Sequence, residues 1–338
     1  MRHLLLGWLF LFSLQAFSLV RIDRAEAERR LAYFDYKKSG EILDLKLHKK
    51  RRRHNLHLGK IRVFDHTKNK TDDIEFKYYR SEKEGKRPLI LIMPSIAGET
   101  LLETDTARYF AHRGYHAIIV RLNEDISDQT RRTDQIDNFL IRTTTQIRQI
   151  MDWAISTGDV DQSRIVAYGV SLGGIRTSIL TTVDKRIKAA SMFVAGCDLP
   201  NIISRSTIKV VSGYREARMA KENYSTAGEF NERLDDVVEI DAAHFAYRRS
   251  REDFFMVIAK KDKIVPTDKQ YELWEELGRP AGFAWSLNHL QTALTYKFQL
   301  GKIRKFYNNK LGLDKKGNEL EENEVTEKDL NETIIPLI

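Results

Sequence analysis

Ile165-Val166-Ala167-Tyr168-Gly169-Val170-Ser171-Leu172-Gly173-Gly174 is an apolar run that ends on a serine flanked by glycines. The run predicts a buried strand, and Leu172 to Thr182 beyond it predicts a helix. Gly169 to Gly173 has the form G-x-S-x-G at that strand-to-helix junction. A turn this sharp needs small neighbours, because the serine is held in a strained backbone conformation with its Oγ above the sheet. The same turn aims the Leu172 N–H and the positive end of the helix at a reacting oxygen. Ser171 is therefore read as a nucleophile; the plainer alternative is a structural serine in a tight turn.

The rhythm on either side repeats that unit. Leu89 to Met93, Tyr115 to Val120, Ala189 to Ala195, Phe254 to Ala259 and Phe283 to Leu287 are short apolar runs. Helix-length segments separate them: about 100–112, the amphipathic stretch Asp134 to Thr157, and about 290–311. Such alternation implies parallel strands joined by right-handed crossovers, hence a twisted sheet with helices on both faces. Upstream, Leu56, Leu58, Ile61 and Val63, then Ile74, Phe76 and Tyr78, alternate as a hairpin around the polar turn 68–73. The rhythm fails over 199–253, a charged, helix-like insert placed where a lid over an active site would sit.

From about Leu56 to Tyr307 the chain resembles the α/β-hydrolase superfamily, and more loosely its dienelactone-hydrolase and acyl-esterase branches. Three segments carry the resemblance in the superfamily's order of serine, acid and histidine. Ser171 matches the nucleophile elbow. Ala259-Lys260-Lys261-Asp262-Lys263-Ile264-Val265-Pro266 is similar to the acid loop, and Asn288-His289 follows the last strand, where the histidine belongs. The resemblance implies an α/β fold of this type, a mostly parallel twisted sheet with a helical lid-like insert, and a triad of Ser171, Asp262 and His289.

Chemistry asks for the same set. A serine hydroxyl needs a neighbouring base at neutral pH, and a histidine in that role needs a carboxylate to fix its tautomer. Of nine histidines, His289 alone directly follows a strand near the end of the sheet. His244 in the insert is its rival, and Asp198 is the rival of Asp262. One oxyanion donor is the Leu172 N–H. The second belongs to the loop Pro94-Ser95-Ile96-Ala97-Gly98, with Ile96 first and Ala97 next; this loop lacks the His-Gly with which the superfamily often begins it.

The function expected is hydrolysis of a carboxylic ester, or a related acyl bond, through an acyl-enzyme. Thioesterase, lipase and peptidase chemistry use the same groups, and a catalytically silent binding module is the alternative from another class. No metal or organic cofactor is expected, since there is no HExxH, P-loop or dinucleotide fingerprint. The substrate expected is a small-molecule or lipid ester.

The 338 residues include 42% apolar ones, enough for a sizeable core, and carry a net charge of +8. The charge is densest at Lys49-Lys50-Arg51-Arg52-Arg53-His54, yet no nucleic-acid motif accompanies it. Cys197 is the sole cysteine, which excludes an intrachain disulfide framework. Residues 1–20 read as a signal peptide, with a basic start and an apolar stretch from Leu4 to Val20, or else as an uncleaved anchor. Residues 4–20 and the basic run 49–54 are two routes to membrane association. Export, periplasmic or secreted, or anchoring at a membrane follows from the leader. The expected organisation is a leader at 1–20, a charged helical spacer at 21–55, the hydrolase domain at 56–312 with its insert at 199–253, and a polar tail at 313–338.

Overall fold

Strand β4, Arg87–Met93, shows why the sheet lies at the centre of the molecule: every one of its residues is buried. Leu89, Leu91 and Met93 pack on one face with Ile147, Ile150 and Met151. Ile90 and Ile92 pack on the other with Phe110, Ile303 and Tyr307. A strand covered on both sides reads as a continuous apolar run rather than an alternating one.

The computed structural model describes residues 22–37, 40–121, 128–315 and 317–320. The leader expected at 1–20 and the end of the tail, 321–338, lie outside the described residues. Around β4 the strands are β1 Glu41–Lys50, β2 His54–Asp65, β3 Lys70–Ser81, β5 His116–Arg121, β6 Val160–Val170, β7 Ile187–Phe193, β8 Phe254–Ala259 and β9 Ala281–Trp285. They form one sheet in the order β1-β2-β3-β5-β4-β6-β7-β8-β9. From β5 to β9 all pairings are parallel, whereas β1, β2 and β3 form an antiparallel flank that joins β5.

The helices are α1 Arg24–Leu31, α2 Leu101–Ala111, α3 Ile136–Ser156, α4 Leu172–Val183, α5 Leu199–Arg205, α6 Lys209–Glu222, α7 Ala227–Val237, α8 Thr267–Glu276, α9 His289–Leu294 and α10 Tyr296–Leu311. Helices α2 and α10 cover one face of the sheet, and α3 and α4 the other. Helices α5 and α7 share a core with α4: Ile202, Ile203, Phe230 and Leu234 cluster with Ile175 and Ile179. Among the described residues, no helix is long and apolar enough to cross a membrane.

Three expectations need correction. The spacer expected as helical over 21–55 holds one short helix, α1, and then the strand β1. β1 is an edge strand without a buried residue, and the alternation of Leu43, Leu45 and Leu47 with Asp44, Lys46 and His48 is a strand signal set within a highly charged stretch. The basic run forms the end of β1 and its turn into β2. The closing helix expected over 290–311 is two helices, broken at Thr295. The last strand ends at Trp285, so Ser286 and Leu287 lie in the turn before α9.

The order β5-β4-β6 is the point of functional interest. The chain leaves β4 for β5 on one side and returns to β6 on the other. The loops after β4 and β6 therefore part in opposite directions and open a crevice at the carboxyl ends of the strands, the usual ligand position in open α/β sheets.

Candidate active site

Ser171 stands in that crevice, between the end of β6 and the first turn of α4. Its backbone adopts φ 58° and ψ −126°, a region a side-chain-bearing residue occupies at a cost of about 1–3 kcal/mol. The conformation is held in place by a hydrogen bond from Ser171 N–H to Phe193 O at 2.8 Å on the neighbouring strand. Its glycines are required by close approach. A Cβ on Gly169 would lie 2.1 Å from Gly173 O, and one on Gly173 would lie 2.1 Å from Met93 O. The second contact presses the start of α4 against the end of β4, and so brings the loop 94–98 beside the serine.

Two backbone donors in this corner are unspent. Leu172 N–H and Ile96 N–H have no hydrogen-bond partner among the described residues. Ala97 N–H, the other donor considered in that loop, donates to Ser95 Oγ at 3.3 Å. The loop is braced by Glu103, a buried residue of α2. Its carboxylate accepts from Thr100 N–H at 2.7 Å, Thr100 Oγ at 2.6 Å and Ser95 N–H at 3.4 Å.

Asp262 and His289 meet at the ends of β8 and β9. Lys260 N–H donates to Trp285 O at 2.8 Å and Lys261 N–H to Leu287 O at 3.1 Å, which ties the two loops together. His289 Nδ1 lies 2.6 Å from Asp262 Oδ2, and both side chains are buried. The carboxylate is fully engaged. Oδ1 accepts from Ile264 N–H at 2.8 Å and Val265 N–H at 3.1 Å, and Oδ2 also accepts from Gln270 Nε2 at 2.8 Å. A carboxylate held from four directions fixes the ring beside it and favours the tautomer with its proton on Nδ1, which leaves Nε2 free as a base. No hydrogen bond joins Ser171 Oγ to His289 among the described residues; such contacts are commonly long without substrate and tighten when it binds.

The rivals are occupied elsewhere. Asp198 caps α5, accepting from Asn201 N–H at 3.1 Å, and pairs with Lys269 Nζ at 2.6 Å. His244 Nδ1 faces Glu239 O at 2.9 Å and Arg30. Cys197 is buried, and burial pushes its thiol well above its ordinary pKa, so it offers no thiolate at neutral pH. Sequence reasoning missed Gln270 and Glu103, since nothing in a lone glutamine or glutamate shows what it will touch.

A narrow apolar cleft opens against Ser171. Its walls come from Ile96, Leu172 and Ile175 on one side, Leu199, Ile202 and Ile203 of α5, and the start of α6.

A largely parallel sheet with a strained serine at its switch point, and a buried histidine–carboxylate pair on the loops after its last strands, defines an α/β-hydrolase. The chain belongs to the acetyl xylan esterase family: the model of that family (Acetyl xylan esterase, AXE1) matches residues 14–284, which include Ser171 and Asp262 and end before His289. The protein is accordingly a serine hydrolase that acts on ester bonds, and its substrates are small-molecule esters. Among solved structures it is similar to acetyl xylan esterase 1 from Thermoanaerobacterium sp. JW/SL YS485, with TM-score 0.57 and 14% identity over 80% of this chain and 92% of that one. It is also similar to the acetyl xylan esterase from Paenibacillus sp. R4, with TM-score 0.57 and 13% identity over 81% and 90%. A puromycin-hydrolyzing peptidase of Mycobacterium tuberculosis matches with TM-score 0.56 and 15% identity over 79% of this chain, but only 47% of that one. At such identities the likeness is one of fold. No curated protein sequence matches the chain.

Proposed function

We propose that Ser171, His289 and Asp262 are the catalytic triad of this esterase, with the N–H groups of Leu172 and Ile96 as its oxyanion donors. Ser171 Oγ attacks the ester carbonyl while His289 Nε2 takes its proton. The two N–H groups stabilise the oxyanion of the tetrahedral intermediate, a contribution typically worth about 3 kcal/mol per donor. His289 then returns the proton to the departing alcohol. Water, deprotonated by the same nitrogen, releases the acid from Ser171. Asp262 stays ionised and holds the imidazolium in place.

The observation that carries this reading is the buried 2.6 Å His289–Asp262 pair, at the same end of the sheet as the strained serine. Two of the structural neighbours are acetyl xylan esterases; for this chain the reading extends to a carboxylic ester. The same reading takes 1–20 as an export leader and 199–253 as a cover over the cleft.

A fluorophosphonate probe tests the nucleophile directly. The expected outcome is stoichiometric labelling of Ser171 in the folded protein, none in Ser171→Ala, and a loss of ester turnover of about 10⁴-fold or more in Ser171→Ala and His289→Ala. Folded protein that labels no better than Ser171→Ala would overturn the reading.

A further inference from the structure

The walls of the cleft beside Ser171 are at odds with a carbohydrate ligand. They are aliphatic: Leu199, Ile202 and Ile203 on α5, Ile208 and Val211 at the start of α6, and Ile264 opposite. Besides Ser171, the lining residues that carry hydroxyls are Ser206 and Tyr214, both buried and neither hydroxyl with a hydrogen-bond partner among the described residues. A sugar presents a hydroxyl on nearly every carbon, and each one buried without a partner is penalised. Two wall hydroxyls cannot serve such a ring. An alkyl chain needs none.

The position of His289 settles which side of the ester enters. The alcohol must leave next to His289, which protonates it. His289 is not among the residues that line the cleft, whereas Ile96 and Leu172, whose N–H groups face the oxyanion, are. The group that remains bonded to Ser171 is the acyl group, and the cleft opens from Ser171.

We infer that the cleft between α5, α6 and the nucleophile elbow is an acyl-chain site, and that the enzyme prefers esters of unbranched apolar acids longer than acetate. The inference rests on the serine-esterase reading above and specifies its substrate class. Residues 199–211 of the insert, rather than the sheet, then determine chain length.

The test is a series of p-nitrophenyl esters from acetate to decanoate on the full-length protein, with Ser171→Ala as the blank. Each methylene taken from water into an aliphatic wall should raise kcat/KM about fourfold until the cleft is full. Val211 is half-buried at the start of α6, so a larger side chain there shortens the cleft without opening a core. Val211→Trp should lower the octanoate-to-acetate ratio of kcat/KM at least tenfold. A wild-type profile that is highest at acetate and declines with length overturns the inference, as does an unchanged ratio in Val211→Trp. If Ser171 is still labelled by fluorophosphonate in that case, the esterase reading stands and only the acyl-chain site falls. Absence of both labelling and turnover removes both.

Discussion

Gln270 shows how much of an active site can depend on a residue that never meets the substrate. It lies fully buried in α8, and all of its polar atoms are used. Nε2 donates to Asp262 Oδ2 and to Val265 O, each at 2.8 Å, and Oε1 accepts from Ala259 N–H at 3.0 Å. It thus ties the end of β8, the turn 262–266 and the Asp262 carboxylate into one unit, a positioning role rather than a catalytic one. Replacing it with the similarly sized Gln270→Met removes one of the four groups that hold the Asp262 carboxylate, which loosens Oδ2 and with it His289. Misplacement of a reacting group by about 1 Å costs up to a hundredfold in rate. We expect kcat to fall about 10- to 100-fold with KM changed far less, because Gln270 itself does not line the cleft. A variant with a lower melting temperature but wild-type kcat would show that Gln270 is merely structural.

Among the elements, the loop 94–99 with α2 makes the corresponding case for the oxyanion site. Glu103 caps α2 in a reciprocal box with Thr100 and also reaches back to Ser95 N–H. Glu99, at the far end of the loop, is pinned by Lys77 at 2.7 Å and Arg121 at 3.1 Å. Ile96, whose N–H is the proposed second oxyanion donor, thus sits in a loop fixed at both ends. Glu103→Ala should cost about 1 kcal/mol of stability through the lost cap and lower kcat about tenfold or more, while Glu103→Gln, which keeps an accepting oxygen, should retain most of both. Equal kcat in the two variants would separate the loop from catalysis. Elements of this sort differ in how far their sequence reveals them. β8, β4 from Leu89 and the second half of β6 from Ile165 are covered on both faces, so each of these stretches is a nearly unbroken apolar run. β1 has no buried residue; Leu43, Leu45 and Leu47 do alternate with polar residues, but this short strand period is set among the charges of the surrounding segment. The proposed triad of Ser171, Asp262 and His289 rests on places that the sequence marks, because each follows a strand in a fixed order. Glu103, Gln270 and the walls on α5 and α6 are not, since their importance lies in contacts made only after folding.

In the whole molecule, the insert is fastened to the sheet domain by carboxylates, and this makes its attachment sensitive to pH. Asp137, in the first turn of α3, accepts from Glu239 N–H at 2.7 Å and Ile240 N–H at 3.1 Å. Asp241 accepts from Asp198 N–H at 2.6 Å. Burial raises both carboxyls to about 6, against the opposing pull of those N–H groups, and the charge of Asp198 adds to the rise at Asp241. A carboxyl raised in the folded state favours the fold in its protonated form. Its stabilisation is complete below the ordinary value near 4 and is lost as pH rises through about 6. Asp184 works in the opposite direction. Burial alone would raise it, but the Arg186 guanidinium, with Arg148 beside it, holds it down to about 2. Its contribution is present above about 4 and is lost as pH falls toward 2. The stability due to these three groups therefore peaks just below pH 4 and falls from there toward pH 6. Asp241→Asn stays neutral at every pH and keeps one accepting oxygen, so its melting temperature relative to wild type should be more favourable at pH 7.5 than at pH 4.5. Thermal melts of the two proteins across that range decide the matter: a difference that does not change with pH would mean that Asp241 titrates alike in the folded and unfolded chain, and that the insert is not held by a proton-sensitive joint at this residue.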